Sequence, residues 1–158
     1  MNNDLIIPNH VAIIVDGNRR WAREKNKTPM EGHDEGLKNL KTLSDYILTK
    51  GVKILSLFVF STENFKRNEQ EVNHLMKLFI NTFKKEKNYF LEKNIKVIFS
   101  GKRENLSKNV VNAIEETEEL TKNCTKGICN ICLNYGGQSE IVEATNKIIK
   151  SGIREITV

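Results

Sequence analysis

Four short runs of apolar, largely β-branched residues constrain this chain more than any other feature: HVAIIVD (10–16), KILSLFVFS (53–61), IKVIFSG (95–101) and ICNICLNYG (128–136). Each is nearly continuous rather than alternating, the pattern of strands covered on both faces, as in parallel sheets. Helical stripes separate them. Leu37, Leu40, Ser44, Ile47 and Leu48 recur with helical spacing as far as Gly51, and Val72, Leu75, Met76, Phe79, Ile80 and Phe83 continue the pattern to Phe90. Val110, Val111 and Ile114 mark a third stripe, and Ile141, Val142, Thr145, Ile148 and Ile149 a fourth that Gly152 ends. This alternation predicts an α/β fold, a mostly parallel central sheet flanked by helices with right-handed crossovers. With 158 residues the expectation is a single α/β domain, 1–158, large enough for one core without disulfides or structural metal.

Several function classes drop out. No apolar stretch approaches the roughly 18 residues needed to span a bilayer. MNNDLIIP at the start has no basic region and too short an apolar segment for a secretory leader, so a cytoplasmic location is expected. The net charge of +5 comes mostly from lysines scattered along Glu- and Asn-rich helical segments, a solvated surface rather than a basic stripe, and no nucleic-acid partner is expected. Cys129 and Cys132 have C-x-x-C spacing, but on a strand residues three apart face opposite ways and no second ligand pair follows. With Cys124 they read as small buried hydrophobes.

In parallel sheets, ligands bind at the carboxyl ends of the strands. There VAIIVDGNRRWA turns abruptly from apolar to charged. Gly17 permits a sharp turn, Asn18 can cap the next helix, and Arg19 and Arg20 bring positive charge suited to a diphosphate. Asp16 would repel that anion unless a hard, oxygen-seeking cation such as Mg²⁺ lay between them. A plain helix cap with surface arginines remains open. The second strand exits in the same style, with Ser61, Thr62, Glu63 and Asn64 after Phe60 and Arg67 close behind; a capped loop without chemistry is the alternative. His33 in EGHDEG is either an anion contact or a surface residue.

Together, HVAIIVDGNRRWA, the EGH and following glycine, FSTENFKRNEQEV and LNYGG resemble the cis-prenyltransferase family, of the undecaprenyl diphosphate synthase type, in order and spacing along essentially the whole chain. The resemblance implies condensation of isopentenyl diphosphate onto farnesyl diphosphate to make a polyprenyl diphosphate, with Mg²⁺ as cofactor, in a homodimer with peripheral membrane contact. Asp16 would handle the metal and the allylic diphosphate, Gly17, Asn18, Arg19, Arg20 and His33 would cradle that diphosphate, and Trp21 would neighbour the substrate. Ser61, Thr62, Glu63, Asn64, Phe65 and Arg67 fall on the second motif, with Asn64 assisting proton removal and Phe65 at a position more usually tryptophan. The growing chain needs an apolar tunnel, which the stripe at Val72, Met76, Phe79, Ile80 and Phe83 with Leu40 and Ile47 could line; the same stripe without a ligand is ordinary core.

Departures accompany the match. Pro29 and Gln138 stand where the family usually has arginine, and an arginine- and serine-rich segment for isopentenyl diphosphate and a late metal-binding glutamate are missing. Thr157 reads as the cap of a helix without a body. The expectation is therefore the N-terminal portion of a synthase, truncated after about four strands and inactive alone. The alternative is a degenerate, non-catalytic relative acting as a diphosphate-binding or accessory subunit.

Overall fold

A computed structural model of the chain describes residues 6–157. The leader reading rests partly on residues 1–5, which lie outside the described residues. Strand β1 (His10–Ile14) leads through α1 (Asn18–Glu24) and α2 (Pro29–Thr49) to β2 (Ile54–Ser61). A 3₁₀ turn (Thr62–Lys66) and α3 (Glu69–Glu92) carry the chain to β3 (Ile95–Ser100), and α4 (Lys108–Thr121) to β4 (Gly127–Tyr135), after which α5 (Gly137–Ser151) departs. The four strands form one sheet in the order β1-β2-β4-β3, every pair parallel. The expected strands and parallel arrangement are present. Residues 153–157, including Thr157, form no helix.

Coverage of the sheet departs from expectation. Burial alternates along β3 and β4, and the fully buried Leu55, Val97, Cys129 and Leu133 point to one face, where they meet Leu75 and Phe83 of α3 and Val110 and Ile114 of α4. Ile14, on edge strand β1, is 75% exposed. No residue of α5 is buried, and Ile141, Val142 and Ile149 of its expected stripe lie open. Among the described residues the helices cover one face, and the other carries a row of polar residues, His10, Ser56, Asn130 and Ser100, joined by hydrogen bonds across the strands.

Helix starts follow local chemistry. Thr28 caps α2 by a reciprocal capping box with Glu31, whose carboxylate accepts from the Thr28 amide at 2.8 Å. Pro29, in the position usually arginine, is thus the first residue of α2, where its missing N–H has no intrahelical partner to lose. Gln138 is exposed near the start of α5.

The cysteines behave as small core residues. Cys129 is 2% exposed and burial pushes its thiol up to about 12. Cys132, on the other side of the same strand, is only half-buried. Maleimide at pH 8 is expected to label Cys132 in the native protein and to reach Cys124 and Cys129 only after denaturation, as read by intact mass. Equal labelling of all three in the folded chain would contradict this packing.

Candidate functional site

Asp16 and its neighbours sit where β1 breaks off. Gly17, at φ 89°, makes the turn and donates its N–H to Asp16 Oδ1 at 2.6 Å. It is Gly17 that occupies the cap of α1; Asn18, expected there, is the first helical residue and makes no capping bond. Its side chain instead crosses α2. A Cβ at Gly36 would lie 2.3 Å from Asn18 Oδ1, and one at Gly32 would lie 2.4 Å from the Asn18 carbonyl oxygen. The two glycines, four apart on one face of α2, are what let α1 settle there.

At the end of β2 the register with β4 slips between Phe58 and Ser61. Such irregularities re-aim side chains at strand ends. Phe60 enters the core against Phe65 and Phe79, with ring centroids 4.9 and 6.2 Å away. Ser61 begins the 3₁₀ turn. Asn64 holds that turn from both sides: Oδ1 accepts from the Ser61 amide at 3.0 Å and its carbonyl accepts from the Arg67 amide at 3.1 Å. Glu63 is exposed, and hydrogen bonds from its own backbone and from Ser61 hold its carboxyl below the usual range. The LNYGG segment is structural here. Asn134, in the left-handed region, donates to the carbonyls of Lys102 and Glu104, and Gly136 packs beside Thr62.

His33 is not a surface residue. It lies in the second turn of α2, 7% exposed, with Nε2 2.9 Å from Oε1 of Glu71. The same oxygen accepts from Arg67 Nη1 at 3.1 Å and lies 3.8 Å from Arg19 Nε. Burial works to raise the pKa of Glu71, but the His33 hydrogen bond and the two arginine charges outweigh it and hold the carboxyl below its ordinary value. No sequence reading singled out Glu71. An acid in the first turn of a helix is ordinarily an exposed partner of the helix dipole.

Asp16, Asn18, Arg19, His33, Ser61, Asn64 and Arg67 line one cavity of about 540 Å³. Its remainder is largely apolar, walled by Leu37, Leu40 and Leu48 of α2, Leu57 of β2, and Leu75, Leu78, Phe79, Phe83 and Phe90 of α3. Of the expected tunnel residues, Leu40, Phe79 and Phe83 are on this wall. Ile47, Val72, Met76 and Ile80 pack against the core instead. Gly17, Arg20, Trp21, Thr62, Glu63 and Phe65 are beside the cavity in sequence but off its wall. Arg20 is exposed, and Lys27 Nζ lies 5.5 Å from the Trp21 ring.

Among the described residues, no three His, Cys, Asp or Glu side chains converge as a metal cage. Asp16 is the exposed carboxylate at the strand-end part of the cavity wall; Asp45 and Glu86 line it farther along α2 and α3, where they pair with Tyr89 and Lys41. Mg²⁺ is commonly held by one or two carboxylates plus substrate phosphates and water, and that mode fits this donor set.

Fold and cavity place the chain in a class, the α/β proteins whose ligand cavity opens at the carboxyl ends of a parallel sheet. The chain belongs to the cis-prenyltransferase family: the family described as putative undecaprenyl diphosphate synthase matches residues 14–157. An isoprenyl transferase of Fusobacterium nucleatum is 44% identical over 151 residues, covering 96% of this chain and 66% of that one. A tritrans,polycis-undecaprenyl-diphosphate synthase (geranylgeranyl-diphosphate specific) of Pyrococcus furiosus is 46% identical, covering 91% of this chain and 55% of that one. The chain thus spans a little over half to just under two thirds of these relatives. Among solved structures, lavandulyl diphosphate synthase from Lavandula x intermedia, in complex with dimethylallyl diphosphate, superposes with a TM-score of 0.89 at 31% identity, over 95% of this chain and 66% of that one. A probable undecaprenyl diphosphate synthase from Campylobacter jejuni gives 0.77 at 28%, over 94% and 64%. Among the described residues no helix is long and apolar enough to cross a membrane.

Proposed function

We propose that this chain binds an allylic prenyl diphosphate, headgroup at the strand ends and hydrocarbon in the apolar cavity, and that the whole protein condenses it with isopentenyl diphosphate to elongate a cis-polyprenyl chain. The observation that carries the reading is the division of one cavity into a charged end at the strand ends and a largely apolar remainder, whose far part between α2 and α3 also carries the Lys41–Glu86 and Tyr89–Asp45 pairs. The named relatives support the chemistry. One is named as specific for geranylgeranyl diphosphate and one holds dimethylallyl diphosphate, so the shared ligand is the allylic diphosphate, of which farnesyl diphosphate is the member proposed here.

In this reading Arg19 and Arg67 supply positive charge and donors to the phosphate oxygens, His33, Asn18 and Ser61 add hydrogen bonds, and Gly17 and Arg20 complete the cradle with Trp21 beside it. Asp16 would hold Mg²⁺, which when bound neutralises charge on the diphosphate. Breaking the allylic C–O bond leaves negative charge on the departing diphosphate, so donors fixed in advance around that group favour the transition state over the bound substrate. The wall of leucines and phenylalanines keeps water from the allylic cation. Asn64, whose side chain is already oriented by the Ser61 amide, assists removal of the proton from the condensing unit, while Thr62, Glu63 and Phe65 shape the turn that carries it. Homodimer formation and peripheral membrane contact belong to the same proposal for the whole protein.

Calorimetric titration tests the division of the cavity. Farnesyl diphosphate is expected to bind at least about tenfold tighter than inorganic pyrophosphate, because its hydrocarbon leaves water for the cavity at roughly 25 cal/mol per Å². Equal affinities would show that the apolar end does not receive the tail.

A further inference from the structure

We propose that Glu71 is a positioning residue of the diphosphate site, a buried carboxylate that gathers Arg19, His33 and Arg67 into the arrangement the anion meets; the proposal rests on the diphosphate reading above. The three partners come from separate parts of the fold, α1, α2 and the turn ahead of α3. They converge on one oxygen of Glu71, at 3.8, 2.9 and 3.1 Å. All three line the charged end of the cavity, and Glu71 does not. Its influence on a ligand there passes through the groups it holds.

The burial is the second part of the argument. Glu71 is 5% exposed, whereas a carboxylate that served only the N-terminus of α3 would remain in water. A buried carboxylate is tolerated only with partners that satisfy it, and those partners are thereby fixed in turn. Arg67 is fixed by a hydrogen bond, which removes rotamer freedom that ligand binding would otherwise have to remove. Arg19, 59% exposed and 3.8 Å away, is drawn toward Glu71 by charge. For His33 the contact engages Nε2 and leaves Nδ1 as the remaining polar atom of the ring.

The sign of the effect separates positioning from bulk electrostatics. Glu71 is itself negative, so charge alone says that removing it draws an anion in more tightly. Positioning says the reverse. Titration of the full chain with inorganic pyrophosphate is expected to show about a tenfold loss of affinity in Glu71→Gln, which keeps the volume and drops the charge. Glu71→Asp, which keeps the charge but withdraws the oxygen by one methylene, is expected to lose several-fold on the same grounds. In a cycle with His33→Asn, the double variant is expected to lose less than the sum of the two single losses, since His33 is one of the groups through which Glu71 acts.

Circular dichroism melts accompany each variant, so a loss of fold is read separately; should Glu71→Gln fail to fold, Glu71→Asp carries the test alone. Unchanged or tighter binding by a folded Glu71→Gln, or wild-type binding by Glu71→Asp, would overturn the assignment while leaving the diphosphate site in place. Additive losses in the cycle would overturn the route through His33. No pyrophosphate binding by the wild-type chain would overturn this proposal and the reading beneath it together.

Discussion

Replacing Asp16 with alanine is expected to abolish the rise in melting temperature that farnesyl diphosphate and Mg²⁺ together give the wild-type chain. A ligand that binds only the folded state stabilises it by about 2.7 kcal/mol at a concentration of one hundred times Kd. For a chain of this size each kcal/mol moves the midpoint by about 2–4 °C, so the wild-type gain is roughly 5–11 °C. Asp16 is exposed, and its one side-chain hydrogen bond is to the adjacent Gly17 amide. The ligand-free variant should therefore melt within about 0.5 kcal/mol of wild type, as surface substitutions do. Loss of the ligand response without loss of the fold assigns the carboxylate to the metal and the diphosphate. A full gain in Asp16→Ala, or an undiminished wild-type gain in excess EDTA, would remove Asp16 from the site and the metal with it.

The strands were legible because β-branched runs of five to nine residues have few other uses, and the spacing between them left room for crossover helices. What covers each face was not. Val11, Ile13 and Ile14 look alike in sequence, yet Val11 and Ile13 pack against the core and Ile14 is 75% exposed. An apolar run states that a strand wants cover and says nothing of where the helices lie. The same limit explains the cavity wall. The stripe on α3 is broad, one edge meets the cavity through Leu75, Leu78 and Phe79, and Val72, Met76 and Ile80 belong to the core side. Periodicity finds the stripe but cannot assign its edges.

At the site, the residues on the two strand ends were readable from charge and position. His33 was ambiguous because its partner lies 38 positions away on another helix, and Glu71 was invisible for the same reason. A buried ion cluster is a property of three-dimensional meeting, and nothing local in GHDEG or RNEQEV announces it. Gly32 and Gly36 had a detectable signal, two glycines four apart in a helical segment, which ordinarily lowers helix propensity without return. Their return is the approach of α1.

That approach yields the second large effect, for Gly32→Ala is expected to weaken both the fold and the diphosphate site. By propensity alone the change should help, since alanine in a helix interior is favoured over glycine by about 1 kcal/mol. Space opposes it. The new methyl would lie 2.4 Å from the Asn18 carbonyl oxygen and 2.9 Å from Ala22 Cβ. The first neighbour is backbone and cannot rotate aside, so α1 itself must lift. Overpacking costs about 1–3 kcal/mol, and a backbone clash lies at the top of that range, leaving a net loss near 2 kcal/mol after the propensity gain. The midpoint should fall by roughly 4–8 °C. Because α1 carries Asn18 and Arg19 and follows directly on Asp16, the same lift should reduce the melting response to farnesyl diphosphate expected of the wild-type chain. Gly36→Ala separates the two consequences: its methyl meets the Asn18 side chain at 2.3 Å, which can swing away, so stability should suffer less while Asn18 leaves the cavity wall. A Gly32→Ala chain that melts at or above wild type would mean that α1 does not lie against α2 at this glycine, and the docking of the Asp16 turn would have to be sought elsewhere.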